Sequence, residues 1–298
     1  MKVLVTGSEG FVGRRLVHAL GEKGHEVIGY DITEGRDILN LDQLDTAIRE
    51  VDIVYHIAAQ ADLTKITDLD KGKICVDLNV TGTQNVAHVC AKHHTYLIYS
   101  STCCVYGNSE RRFGVDDEDQ TVPNPREMYA ACKLAGEQVV IGYNLTFSLP
   151  YTILRYGTIY GPGMRGALAP AVFFRQATAG DDITIHGDGT QERTQTYVDD
   201  IVSGSVAVID NHDAEGHIIN LCGQEKISVN RMAEDIKRLT GSSSQIVHGP
   251  DRQWQTMYEN VNLEKARKLL NWEPQTKWEE GIQKTCAWLV ENEGGTSQ

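Results

Sequence analysis

"KVLVTGSEGFVG", residues 2–13, decides the fold. Its first residues are a short apolar run with β-branched members, which reads as a strand. Glycines follow at 7, 10 and 13, and the chain then enters the amphipathic pattern "FVGRRLVHALGEKG", which closes on glycine as a helix does. A glycine in such a turn lets the backbone approach a pyrophosphate. The helix N-terminus beyond it offers unpaired N–H groups and a partial positive charge. Gly7, Gly10 and Gly13, with Phe11 and Val12 between them, are therefore the candidate phosphate cradle. Alone the triplet is weak evidence, since a plain turn can carry it; the strand before it and the helix after it favour a dinucleotide.

The residues that follow extend this site. Asp31 ends the second strand, "VIGYD", 18 residues after Gly13. A carboxylate there would accept hydrogen bonds from the adenosine ribose and repel a 2′-phosphate, so NAD is expected over NADP. Arg36 works against that preference. Asp37 and Ile38 of "GRDILN" would flank the adenine. Ala58, Ala59 and Gln60, at the end of "VDIVYHIAAQ", would lie against the cofactor, although tight packing alone also explains two alanines.

Working outward, the first half alternates strands with helices. "HEVIGYD", "VDIVYHIAA", "TYLIYSS" and "YTILRYG" read as strands. "LDQLDTAIRE", "VDLNVTGTQNVAHVCAKH" and "EMYAACKLAGEQVVIGYN" read as helices. Such alternation predicts an α/β fold, a doubly wound parallel sheet of Rossmann type with helices on both faces. After residue 160 the pattern loosens into a helix at "LAPAVFFRQATAG", a strand at "DITIHG", a strand running into a helix at "TQTYVDDIVSGSVAVID", and helices near 228–239, 262–270 and 276–292. The expected division is a cofactor domain over 1–165, joined by a returning segment near 195–220, and a smaller C-terminal lobe over 166–298.

Composition excludes several functions. Among 298 residues, 41 are acidic and 28 basic, a net charge of −13. A general nucleic-acid or anionic-membrane binder would need a basic face. No apolar run reaches the roughly 18–20 residues that cross a bilayer, and "MKVLVTGSEG" lacks the long apolar core of a signal peptide. The seven cysteines are scattered without metal-site spacing, as expected for reduced thiols in a cytoplasmic protein, and no metal is expected.

Tyr129 and Lys133 stand four residues apart in "YAACK", on one face of an expected helix. A phenol of ordinary pKa near 10 is a poor base at neutral pH, and nearby cations would favour its ionised form. Such a pair is common by chance. Beside a cofactor cradle, and with the hydroxyl of Thr102 at the end of a strand, it makes a reacting constellation.

With these motifs assembled, the chain resembles the extended short-chain dehydrogenase/reductases that modify nucleotide sugars. The resemblance rests on the glycine loop, "HIAAQ", Asn79 in "DLNVTGTQNV", "SSTCCVYG" with Ser100 and Thr102, Tyr129 and Lys133, "LRYGTIYGPG" with Tyr156 and Thr158, "HGDGTQERTQTYVDD" and "KARKLLNWEP". It implies oxidation at the sugar C4, with Tyr129 taking the hydroxyl proton and NAD the hydride, and then a fate for the 4-keto sugar set by the residues before "VYG". Where the family's dehydratases hold an Asp and a Glu, this chain has Cys103 and Cys104. The decarboxylases have Glu at the position of Cys104, and the GDP-mannose 3,5-epimerase type has a cysteine there. Simple 4-epimerases have small or hydroxylic residues at both. The resemblance thus implies an epimerase whose cysteines are idle or whose Cys104 moves a proton at C5. A dehydratase, of the 4,6- or glycal-forming kind, with Cys103 and Cys104 in place of carboxylates, is the alternative. A sensor without turnover is the remaining one, disfavoured by the intact Thr102, Tyr129 and Lys133.

Arg193 and Arg252 match basic positions used around the nucleotide diphosphate, and Arg165 and Arg175 are further candidates; surface ion pairs would explain such arginines too. Thr158 departs from the family's usual Asn. Cys132 reads as a packing residue. The helices over 77–93 and 128–144 resemble the pair that joins relatives into homodimers, so a homodimer is expected.

Overall fold

The computed structural model describes residues 1–61, 68–107, 118–251 and 259–293. The first half runs β1 (Lys2–Thr6), α1 (Gly13–Glu22), β2 (Glu26–Tyr30), α2 (Leu41–Ile48), β3 (Ile53–His56), α3 (Leu69–Val76), α4 (Gly82–His93), β4 (Tyr96–Thr102), α5 (Met128–Phe147) and β5 (Tyr151–Tyr156). The second half runs β6 (Thr158–Tyr160), α6 (Ala169–Ala179), β7 (Ile183–His186), β8 (Glu192–Tyr197), α7 (Val198–Ala207), β9 (Ile218–Leu221), β10 (Lys226–Ser228), α8 (Val229–Thr240), β11 (Ile246–Gly249), α9 (Glu264–Leu270) and α10 (Trp278–Glu293).

Six of these strands form one parallel sheet in the order β2-β1-β3-β4-β5-β9. The order reverses beside β1, which places a crevice at the carboxyl ends of β1 and β3, where α/β sheets of this type bind ligands. Alternation along β1 shows how the sheet is buried. Val3 and Val5 face a core with Leu16 and Leu20 of α1 and Ile201 of α7. Leu4, between them, faces the opposite core with Leu44 of α2 and Val86 of α4. Both faces are covered, so the strands are apolar nearly throughout, as a doubly wound sheet requires. This is the α/β Rossmann-type architecture expected above.

The later chain contributes to both parts of the molecule. α7 packs on α1, and β9 adds the sixth strand beside β5, from Ile153↔Ile218 to Tyr156↔Leu221. β8 lies instead between β10 and β6 in a small separate sheet. β7 and β11 pair with each other, and a third core joins Phe173 and Phe174 of α6, Met232 and Ile236 of α8, and Trp278 and Leu289 of α10.

The helix bearing Asn79 starts earlier than its sequence pattern suggests. α3 and α4 are joined through a π turn, Asp77–Thr81, with helical backbone at both junctions. A π turn inside a helix often marks a functional position, and here it presents Asn79. Among the described residues, no helix is long and apolar enough to cross a membrane.

Candidate active site

The glycine loop closes on itself and on β3. Gly7 has φ +72°, and its N–H donates to the Tyr30 carbonyl at 2.9 Å. A Cβ on Gly7 would lie 2.8 Å from the Ala58 nitrogen, and one on Gly13 would lie 2.0 Å from the Gly7 carbonyl oxygen. Only glycine at these two positions lets α1 begin directly on the loop. Gly10 donates to the Gly7 carbonyl at 3.0 Å, and the buried Val12 opens α1. Phe11 lies under the guanidinium of Arg15, 5.3 Å from ring to cation.

Asp31 sits at the end of β2 with its carboxylate beside the loop. It accepts from the Glu9 N–H at 3.1 Å and from the N–H and hydroxyl of Thr33, both at 3.0 Å. Arg36 turns its guanidinium onto the Gly29 carbonyl and toward Glu34. Asp37 accepts from the Leu39 N–H at 2.9 Å, and Ile38 is buried against Gly82.

Across the crevice, Ala58 donates its N–H to Thr6 Oγ1 at 3.2 Å, and Ala59 is exposed. Asn79 holds Gln60 from both sides, accepting from its N–H at 2.9 Å and donating to its carbonyl at 3.0 Å. His56, not anticipated from the sequence, lies behind this wall. It bridges Thr6 and Thr83 at 2.8 and 3.1 Å. Burial, with Lys133 adding to it, lowers its pKa to about 3, so the ring is neutral. Ser100 donates to the His56 carbonyl at 3.1 Å. Tyr156 points elsewhere: its hydroxyl meets Ser205 of α7 at 2.7 Å inside the core.

The candidate reacting residues lie where β4 ends and α5 begins. Thr102 accepts the Cys104 N–H at 3.2 Å and so caps the short 3-10 turn Cys103–Tyr106. That turn sends the two cysteines in different directions. Cys103 is buried in the core, its thiol donating to the Arg155 carbonyl at 3.4 Å, and burial beside Cys222 pushes its pKa well up. Cys104 is exposed, yet the surrounding protein raises its thiol to about 11; burial is the largest cause and Glu259 the next, while Arg193 pulls the other way.

Tyr129 lies in the first turn of α5 and Lys133 in the next. Burial pushes the Tyr129 phenol above its ordinary value of 10, Cys104 and Glu127 add to this, and Arg165 opposes it. Lys133 is buried with its ammonium 4.3 Å from the centroid of the Tyr99 ring, and burial brings it down to about 7. Arg165, in the loop after β6, therefore acts on Tyr129, and Arg193, on β8, acts on Cys104. Thr158 opens β6 opposite Gln195. Arg175 is bonded to the Gly166 carbonyl, and Arg252 lies outside the described residues. Sequence reading missed Glu127 and Glu259; an acid immediately before the apolar start of α5 was the available signal for the first.

The model of the NAD dependent epimerase/dehydratase family matches residues 3–222. The chain belongs to this family. The UDP-N-acetyl-alpha-D-glucosaminuronate decarboxylase of Bacillus cytotoxicus is 32% identical over 320 residues, covering 98% of both chains. The UDP-glucuronate 4-epimerase of Thermodesulfobacterium geofontis is 32% identical over 317 residues, covering 97% of this chain and 96% of that one. Among solved structures, the UDP-glucuronic acid 4-epimerase of Bacillus cereus with UDP-glucuronic acid and NAD superposes with a TM-score of 0.91 at 29% identity, over 98% of this chain and all of that one.

The cofactor of this epimerase/dehydratase chain is NAD, and its residues fit that group. Glycines at 7 and 13 let the loop turn tightly into α1, whose N-terminus would face a pyrophosphate, and the Asp31 carboxylate at the end of β2 would accept from a ribose diol. Asp31→Asn keeps an acceptor for Thr33 but removes the charge. It is expected to weaken NAD about tenfold or more, the worth of a charged hydrogen bond, and to narrow the preference over NADP. Titrating both nucleotides calorimetrically checks this; an unchanged ratio of the two affinities would count against the role of Asp31.

Proposed function

We propose that this chain is an NAD-dependent 4-epimerase of UDP-sugars working through a transient 4-keto sugar. What supports the reading is that α5, which carries Tyr129 and Lys133, packs against β4 and the turn that Thr102 caps, with thiols in place of carboxylates at 103 and 104. Bound NAD supplies a cationic hydride acceptor. Tyr129 takes the proton of the sugar C4 hydroxyl as general base and returns it after the sugar has presented its other face. Thr102 bridges the phenol and the substrate hydroxyl. Lys133 holds the nicotinamide ribose, and Arg165 and Arg193 face the nucleotide diphosphate.

The thiols support epimerisation over elimination. Elimination of water and replacement at C5 both need a group that takes a proton from carbon. Cys103 is turned into the core, its thiol on the Arg155 carbonyl, and the exposed Cys104 offers a thiol where a carboxylate pair would serve elimination.

The test is a panel of UDP-, GDP- and dTDP-sugars, uronates included, incubated with enzyme and NAD in D2O and read by NMR and mass spectrometry. The expected product is the C4 epimer of a UDP-sugar without deuterium on carbon. Deuterium at C5 or an exocyclic carbon, or loss of water or carbon dioxide, would replace this reading with a dehydratase, decarboxylase or C5-epimerase.

A further inference from the structure

Glu127 has been given no part in the reaction, yet it touches the residue that carries it. It is the N-cap of α5. Its carboxylate accepts the Tyr129 N–H at 2.9 Å through one oxygen and the Ala130 N–H at 2.9 Å through the other. The segment leading to it is fastened to the cysteine turn: the Asn124 N–H donates to the Val105 carbonyl at 2.9 Å. Gly107, at φ +69°, keeps that contact close, since a Cβ there would fall 1.9 Å from the Asn124 carbonyl oxygen. Glu127 is thereby held, half-buried, at the start of the helix that carries Tyr129 and beside the segment fastened to the cysteine turn.

We propose that Glu127 is a positioning residue with two separable effects: its hydrogen bonds fix the first turn of the helix that carries Tyr129, and its charge adds to the electrostatic field at Tyr129 and Cys104. This rests on the reading of Tyr129 as the base. The other charged groups on these two side chains are Arg165 from the loop after β6, Arg193 from β8, and Glu259; the thiols of Cys75 on α3 and Cys132 on α5 lie nearby. Burial raises the Glu127 carboxyl above its ordinary value. Once ionised, it disfavours a second negative charge nearby and so adds to the burial that keeps the phenol and the thiol protonated. Removing the charge lowers both pKa values. Activity that rises as Tyr129 loses its proton then begins at lower pH.

The experiment separates the two effects. Glu127→Asn keeps a short capping acceptor and loses the charge; Glu127→Ala loses both. The full-length enzyme with NAD is followed in two ways. One is kcat against pH. The other is alkylation of Cys104 by iodoacetamide against pH, read on its peptide; the other six cysteines are buried. For Glu127→Asn, both curves are expected to move to lower pH, with Cys104 alkylated several-fold faster at mildly alkaline pH. For Glu127→Ala the same shift is expected with a further several-fold loss of kcat at unchanged KM. An unmoved Cys104 curve in Glu127→Asn overturns the field. Equal kcat in the two variants overturns the cap. If Tyr129→Phe retains turnover, the proposed base falls, while the alkylation curve still decides the field of Glu127.

Discussion

Tyr129→Phe is expected to lower turnover about a thousandfold, the scale of a lost general base, while NAD binds as before. The reasoning starts from what the substitution leaves alone. The ring stays in the first turn of α5, the Tyr129 N–H still meets Glu127, and Lys133 keeps its place over Tyr99. Only the phenolic oxygen goes. Neither the glycine loop nor Asp31 depends on that oxygen, so affinity for NAD measures an intact cradle while turnover measures the missing base. Without NAD and substrate, burial holds the phenol protonated and brings Lys133 down to about 7. Arg165 and the bound cationic ring both favour the phenolate. Turnover within tenfold of the parent would mean another group takes the C4 proton.

The parts of this site that could be read from the chain are those whose geometry is local. The glycine loop, Asp31 at a strand end, and Tyr129 and Lys133 one turn apart are each fixed by spacings of a few residues. The parts not read depend on distant partners. β9 has four residues and becomes a strand because β5, more than 60 residues upstream, leaves an edge for it. Cys103 and Cys104 are equivalent in the sequence; the 3-10 turn capped by Thr102 sends one into the core and leaves the other exposed. Tyr156 lies in a motif that suggested the cofactor, but its strand position aims the hydroxyl at Ser205. The π turn that presents Asn79 has no simple sequence signal, because one extra residue in a helical turn leaves the apolar pattern nearly intact.

Glu137→Gln is expected to cost about 3–5 kcal/mol, because it removes one partner of a fully buried ion pair. In a domain of this size that corresponds to a fall in melting temperature on the order of 10 °C. Arg155 reaches Glu137 through two parallel bonds, 2.9 and 2.7 Å, and both side chains are almost wholly shielded from water. Ser101 donates to the same carboxylate at 2.5 Å, and the guanidinium lies 4.8 Å from the centroid of the Tyr106 ring. Arg155 Nη1 is buried with no hydrogen-bond partner among the described residues, and a neutral amide at 137 would leave the guanidinium without its carboxylate. Replacing both members, Glu137→Leu with Arg155→Met, removes the stranded charge and is expected to recover most of the loss. Differential scanning calorimetry of the single and double variants checks the order; a double variant less stable than Glu137→Gln would show the pair to be stabilising in itself. The pair also bears on catalysis. Tyr129, Lys133 and Glu137 are spaced four apart along α5 and share one face. Two of them are the proposed reacting residues, and the third fastens the helix to Arg155 on β5 and to Ser101, the neighbour of Thr102. Glu137→Gln should therefore lose kcat even well below its melting temperature, because the helix carrying the phenol is no longer tied to the strand carrying the threonine.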